Sequence, residues 1–215
     1  MNYYLDFDNT LYETAKLTQL MLESIAKGIA ASNGQDVEVL LNEAKGSFDS
    51  TNDNIFSFAS NMAKRYNVDS EIIVGKVKST IDNGEEIVFE DAKKFLERLK
   101  ENGDKAYVLT YVPKGNQEYQ MRKLMGSGLM KYFEGTIITT EYKFLLDLNY
   151  ENGIFIDDDP RDLNGLAAKN PKKVIRMRKP NNKRSVFDLD NKQIEEYTSF
   201  DDIQLEKNKS QDIQR

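Results

Sequence analysis

Two aspartates two residues apart end the apolar run Tyr3-Tyr4-Leu5-Asp6-Phe7-Asp8, and Thr10 adds a hydroxyl two residues further on. A strand alternates its side chains, so Asp6 and Asp8 leave a buried strand toward the same small volume. Two like charges at that spacing repel strongly unless a cation lies between them. A hard divalent ion with oxygen ligands, such as magnesium, would neutralise the pair and leave one carboxylate free to react. Taken alone these residues also fit a strand running into an acidic surface turn, so the partners brought by other strands decide between the two.

Composition narrows the chemistry. The 215 residues suffice for one domain carrying a large insertion, or for two small domains. Hydrophobic residues at 39% and charged residues at 31% fit a soluble globular chain. The net charge of −6 argues against a chain built to hold nucleic acid or an anionic membrane. With neither cysteine nor histidine, disulfides, thiolate chemistry and the commonest general base are excluded. Catalysis would have to run on carboxylates, lysines and hydroxyls. There is no basic-then-apolar leader and no run near the ~20 apolar residues of a bilayer span, so a cytoplasmic protein is the expectation.

The elements that must position these residues fall into two textures. From 13 to 86 the periodicity is helical. Leu17, Leu20, Met21, Ile25 and Ile29 recur up to Asn33-Gly34, and Val37 to Ala44 forms a second helix. Ile55, Phe58, Ala59, Met62 and Tyr66 form the stripe of a third, and Asp69 or Ser70 caps a fourth that carries Ile73, Val77 and Ile81. From Ile87 helices and strands alternate. The strands are Ala106 to Leu109 ending at Thr110, Thr136 to Ile138, Gly153 to Ile156 and, last, Lys173 to Met177. The helices are one through Ala92, Phe95 and Leu99, then Gln117 to Met125, a short Lys143 to Leu148, and Leu163 to Lys169. Such alternation predicts an α/β fold with a parallel sheet covered on both faces. The first strand must join that sheet from across the helical insertion. The expected organisation is a Rossmann-like three-layer core from 1–12 and 87–205, an inserted all-helical cap at 13–86 acting as a lid, and a frayed tail at 206–215.

In a parallel α/β sheet, ligands bind outside the carboxyl ends of the strands. The first strand ends in Asp6-Phe7-Asp8, the second in Thr110, and the fourth in Asp157-Asp158-Asp159-Pro160-Arg161-Asp162. Lys143 is the one lysine between the third strand and that acidic cluster. Carboxylates, a hydroxyl and an ammonium therefore converge on one rim. In this order they resemble the motifs of the haloacid dehalogenase-like hydrolase superfamily, over roughly residues 1–205, with the helical insert matching only in kind. The resemblance implies Asp6 as nucleophile, Asp8 as acid/base, and Thr110 and Lys143 as phosphate-binding residues. It also implies Mg2+ held by Asp6, Asp8 through its carbonyl, and Asp158, with Asp162 completing the metal set by orienting its ligands.

Tyr111 stands where the family often carries asparagine, Asp157 where glycine is frequent, and Lys143 follows its strand after a short gap. Lys123 and Lys131 fit the lysine role less well because they precede that strand. Asp157, Asp159 and Arg161 read as solvated turn residues beside Pro160. An EF-hand is excluded, because the glycine and terminal glutamate it needs are missing.

These residues suit phosphoryl transfer on chemical grounds as well. A carboxylate with a reference pKa of ~3.9 is ionised at neutral pH. Asp6 can attack phosphorus to form an aspartyl-phosphate, while Asp8 gives a proton to the leaving oxygen and then takes one from water. Thr110 and Lys143 would hold the phosphoryl oxygens, and Thr10 would fix the turn with its hydroxyl. The function implied is a magnesium-dependent phosphatase acting on a small phosphorylated metabolite such as a sugar phosphate, a nucleotide or phosphoglycolate. A sugar phosphomutase keeps the same two aspartates, and a binding protein that retains the site is the alternative from another class. Specificity would lie in the cap loops and in Tyr12, Phe56 and Tyr111. The basic segment 169–184, with Lys172, Lys173, Arg176, Arg178, Lys179, Lys183 and Arg184, reads as an edge strand and loop kept soluble by charge, or alternatively as a contact to a polyanion.

Overall fold

The computed structural model describes residues 1–50, 54–180, 182–189 and 193–206, with Lys183 and Ser185 described by their backbone alone. Apart from Glu206, the tail expected to fray lies outside the described residues. The chain divides into two compact units, Met1–Glu13 with Val88–Arg215 and, between them in sequence, Thr14–Ile87.

Among the described residues the first unit is built on six strands, β1 (Asn2–Leu5), β2 (Lys105–Tyr111), β3 (Gly135–Thr139), β4 (Gly153–Asp157), β5 (Lys173–Met177) and β6 (Glu195–Tyr197). They form one all-parallel sheet in the order β3-β2-β1-β4-β5-β6. Short apolar runs make these strands because both faces are covered. Tyr4, Leu109, Phe155 and Val174 pack with Leu163 and Leu166 of α7 (Pro160–Ala167) on one face. On the other, Tyr3 meets Phe95 of α5 (Glu90–Glu101) edge-on at 5.9 Å, and Phe95 meets Phe200 at 4.9 Å. Each fully buried side chain of this size contributes about 1.5–3 kcal/mol. The result is a Rossmann-like three-layer α/β core.

The register positions the chemistry. Leu5 lies opposite Val108 on one side and Ile156 on the other, and the Asp6 amide donates to the Ile156 carbonyl at 2.8 Å. The chain leaves β1 at Asp6, level with the end of β4 at Asp157, while β2 runs on to Tyr111.

Three sequence expectations are corrected in this unit. Lys143 to Leu148 is a single 3-10 turn at Lys143–Leu145 rather than a short helix. Leu146, Leu148 and Tyr150 recur every second residue against the apolar cluster, a spacing that favours extended chain, and the Tyr150 hydroxyl donates to the Leu146 carbonyl at 2.6 Å. Lys173–Met177 is not the last strand, because β6 pairs with it. The basic segment is accordingly no sheet edge. Arg176 is fully buried, and its guanidinium donates to the carbonyls of Phe187 and Arg184, each at 2.6 Å, while Lys179 is buried against Asp91.

Among the described residues the second unit holds four α-helices, α1 (Thr14–Asn33), α2 (Val37–Phe48), α3 (Ile55–Arg65) and α4 (Ser70–Asp82). Three start at side-chain caps. Asp36 accepts from Glu38 and Val39, Asn54 from Phe56 and Ser57, and Asp69 from Glu71. α1 and α4 approach closely because position 28 is glycine; a Cβ there would lie 2.8 Å from both Ile73 Cδ1 and Lys76 Cδ. Among the described residues, no helix is long and apolar enough to cross a membrane.

Candidate active site

The loop after β1 is shaped by its own backbone. Asn9 sits in the left-handed region at φ 58°, a conformation asparagine tolerates better than most residues. This turns the chain so that the amides of Leu11 and Tyr12 both donate to the Phe7 carbonyl at 3.0 Å, and the Asn9 amide to the Tyr12 carbonyl at 2.8 Å. The Phe7 and Tyr12 rings stack at 4.8 Å beneath it. Thr10 was expected to fix this turn with its hydroxyl. It is instead fully buried, and its oxygen has no hydrogen-bond partner among the described residues, so the backbone holds the turn.

Asp6 is buried, and its Oδ1 accepts from Lys143 Nζ at 2.6 Å. The same ammonium donates to Asp157 Oδ2 at 2.6 Å. Asp162, in the first turn of α7, accepts from the Lys143 backbone amide at 3.0 Å and so fixes the turn that presents the lysine. Phe144, the next residue, lies against Gly165 of α7, where a Cβ would fall 2.1 Å from the ring. Lys143 therefore reaches Asp6 despite its short distance from β3.

Asp157 and Asp159 correct a second expectation. Neither is a solvated turn residue: both are buried, and only Arg161 is exposed. Asp157 closes β4, its Oδ1 accepting from the Asp159 amide at 2.9 Å. Asp159 caps α7 and pairs with Arg161 at 2.7 Å and Arg184 at 3.1 Å. Asp158 Oδ2 accepts from Asn182 Nδ2 at 2.8 Å, with Arg184 Nη1 at 3.7 Å, while its Oδ1 is buried without a partner among the described residues.

One oxygen from each of Asp6, Asp157 and Asp158 lies within 4.8 Å of the others. An oxygen-only, buried, anionic group with an orphaned carboxylate oxygen suits a hard divalent cation such as magnesium. Electrostatics agree. Burial lifts Asp6 well above the ordinary carboxylate value against the opposing pull of Lys143, with Asp157 and Asp158 lifting it further. Burial and then Asp157 push Asp158 up to about 7. Burial and then Asp157 push Asp162 up to about 6. Burial works against the charged Lys143, but Asp157, Asp6 and Asp162 outweigh it and hold the ammonium above its usual range.

Asp8 stands apart from this group. Lys123 Nζ lies 2.5 Å from its Oδ1, and Gln120 Nε2 donates to its Oδ2 at 2.7 Å and to Thr110 Oγ1 at 3.0 Å. Thr110 is fully buried. Lys123, set aside in the sequence for preceding β3, comes from α6 (Gln117–Gly126), which follows β2 directly. Gln120, Asn182 and Arg184 were likewise not singled out for the site. For α6 a signal was present, since Gln120 and Lys123 are spaced to share the face of Leu124. Beside Asp159 and Arg184 opens a cavity of about 670 Å³, also lined by Arg161, Asn164 and Phe187.

No protein-family model and no curated protein matches the sequence. Solved structures do. YfnB of Bacillus subtilis, assigned to the HAD-hydrolases and bound to magnesium, superposes with a TM-score of 0.57 at 15% identity, covering 93% of this chain and 95% of that one. A HAD phosphatase of Thermococcus onnurineus gives 0.55 at 17% identity over 93% and 94%. A haloacid dehalogenase-like family hydrolase of Xanthomonas campestris gives 0.56 at 15% over 93% and 91%. The chain has the fold of the haloacid dehalogenase-like hydrolase superfamily.

Proposed function

We propose that the protein is a magnesium-dependent phosphatase that hydrolyses a small phosphorylated metabolite through an aspartyl-phosphate at Asp6. The observation that carries this is the pairing of Asp6 with Lys143 inside the buried Asp6-Asp157-Asp158 group, with Asp8 two residues away on separate partners. The likeness to a HAD phosphatase and to a magnesium-bound HAD-hydrolase supports it.

Asp6 attacks phosphorus with the oxygen that Lys143 leaves free. The P–O bond to the leaving group breaks as the O–P bond to Asp6 forms, and Asp8 delivers a proton to the departing oxygen. Asp8 then takes a proton from the water that cleaves the aspartyl-phosphate, which restores Asp6 and releases phosphate. Thr110 and Lys143 face the phosphoryl oxygens, where developing charge needs donors. Asp6, Asp158 and the Asp8 carbonyl would hold magnesium, with Asp157 in reach and Asp162 orienting the set, and the ion would supply charge neutralisation between carboxylate and phosphate. The helical unit, inserted in sequence directly after the reactive loop, would serve as the lid.

The test compares the parent and Asp6→Asn on an aryl phosphate and on a panel of sugar phosphates, nucleotides and phosphoglycolate, with magnesium and with chelator. Release of inorganic phosphate by the parent alone, lost on chelation, is expected. Isomer formation without phosphate release would make the protein a mutase. Equal, metal-independent rates in parent and variant would refute catalysis at Asp6, and no turnover with retained ligand binding would indicate a binding protein.

A further inference from the structure

The buried face of α6 carries an amide and an ammonium where a surface helix normally places apolar groups. Gln120 is 1% exposed and Lys123 is 3% exposed, one turn apart. Burying such groups costs several kcal/mol unless their hydrogen-bonding capacity is met. Both meet it on Asp8. Lys123 Nζ lies 2.5 Å from Oδ1, and Gln120 Nε2 lies 2.7 Å from Oδ2. The ammonium is also confined between rings, 5.8 Å from the centroid of Phe7 and 5.0 Å from that of Tyr119. Gln120 reaches further, to the Thr110 hydroxyl at 3.0 Å.

We propose that Gln120 and Lys123 are positioning residues that clamp both oxygens of the Asp8 carboxylate and, through Gln120, lock it to the hydroxyl of Thr110. Proton carrier and phosphate anchor then share one rigid frame supplied by α6. For the task given to Asp8 this rests on the phosphatase assignment above; the clamp itself rests on geometry alone. The physical reason is reach. A proton carrier works within about 2.6–3.2 Å of the atom it serves, and a displacement of about 1 Å can cost on the order of 100-fold in rate. A carboxylate held at one oxygen still swings about its side-chain torsions, whereas one held at both does not.

Lys123→Met and Gln120→Leu are measured with magnesium on an aryl phosphate, alone and in an Asp8→Asn background. Each single change should lower kcat by about 10- to 100-fold while KM stays within about threefold, since neither side chain is assigned a substrate contact. Lys123→Arg should recover part of kcat. In the Asp8→Asn background Lys123→Met should add less than about twofold, because its effect passes through Asp8, while Gln120→Leu keeps the part that passes through Thr110. Full additivity there, or a raised KM at unchanged kcat, overturns the proposal in favour of a purely structural or phosphate-binding lysine. Crystal structures of the parent and of either single variant give a readout independent of turnover. The Asp8 carboxylate should leave its position when a clamp residue is removed, and an unmoved carboxylate refutes the clamp. If the parent hydrolyses no phosphate ester, the phosphatase assignment fails and the crystal structures judge the clamp. Where Lys123→Met does not fold, Lys123→Gln replaces it in the same comparisons.

Discussion

Replacing Lys143 with methionine removes the ammonium between two buried carboxylates while nearly keeping its volume. Nζ lies 2.6 Å from both Asp6 and Asp157, and the three side chains are 3%, 7% and 3% exposed. Breaking a buried pair by removing one partner costs about 3–5 kcal/mol, and here two carboxylates lose a partner, so the upper end, about 5 kcal/mol, applies. At ~2–4 °C per kcal/mol for a chain of this size, the core transition should fall by ~10–20 °C. The deficit must also depend on pH. Burial already lifts Asp6 well above its unfolded value while Lys143 opposes that lift, so removing the ammonium raises it further. A group whose folded pKa is raised exerts its full favourable effect below the unfolded pKa, and that effect is lost as pH rises through the folded value. The gap between parent and variant should therefore be small near pH 4 and widen toward pH 8. Because the chain has no tryptophan, calorimetry in chelator at pH 5, 6.5 and 8 is the suitable measurement. A gap under about 3 °C at pH 8, or one that shrinks with rising pH, would refute the charge balance inferred for this site.

Two further outcomes follow from the same geometry. Asp158 is pushed up to about 7 and must be deprotonated to hold a divalent ion, so the thermal shift produced by magnesium should grow from pH 5.5 to pH 8; a shift independent of pH would remove Asp158 from the metal set. Gly165→Ala places a Cβ 2.1 Å from the Phe144 ring, which should cost about 1–3 kcal/mol in urea titration. It should also lower kcat by displacing the adjacent Lys143, and full activity in that variant would mean that Phe144 does not set the lysine's position.

The carboxylates of this site were legible in the sequence because a local rule places them. An apolar run that stops at Asp6, Thr110 or Asp157 has to stop at the carboxyl edge of a parallel sheet, and the register of β1 between β2 and β4 brings Asp6 level with Asp157 and one residue short of Thr110. What could not be read locally was whether each acid is solvated. Asp157 and Asp159 lie in a run that looks like an acidic turn, yet β4 continues through Asp157 and α7 begins on Asp159, which buries both. β6 escaped for the opposite reason, since Glu195-Glu196-Tyr197 has no apolar run to announce it, and with it went the view of Arg176 as a charge on an edge strand.

The cations were harder to read than the acids, and the difference is physical. A lysine's long side chain places its charge several ångströms from a backbone whose position is set by unrelated packing. Lys143 is delivered to Asp6 by Phe144 against Gly165 and by Asp162 on its amide. Lys123 is delivered to Asp8 by the burial of α6 beside Leu124. Neither delivery depends on the spacing between the lysine and its aspartate, which are 137 and 115 residues apart in sequence. Aspartate reaches barely beyond its strand, so a sheet edge predicts its place, whereas an ammonium can be assigned to a carboxylate only once the packing that carries it is known. The two aspartates that open the site, alike in sequence, are in this way given different counter-ions by different elements, Asp6 by the turn after β3 and Asp8 by α6.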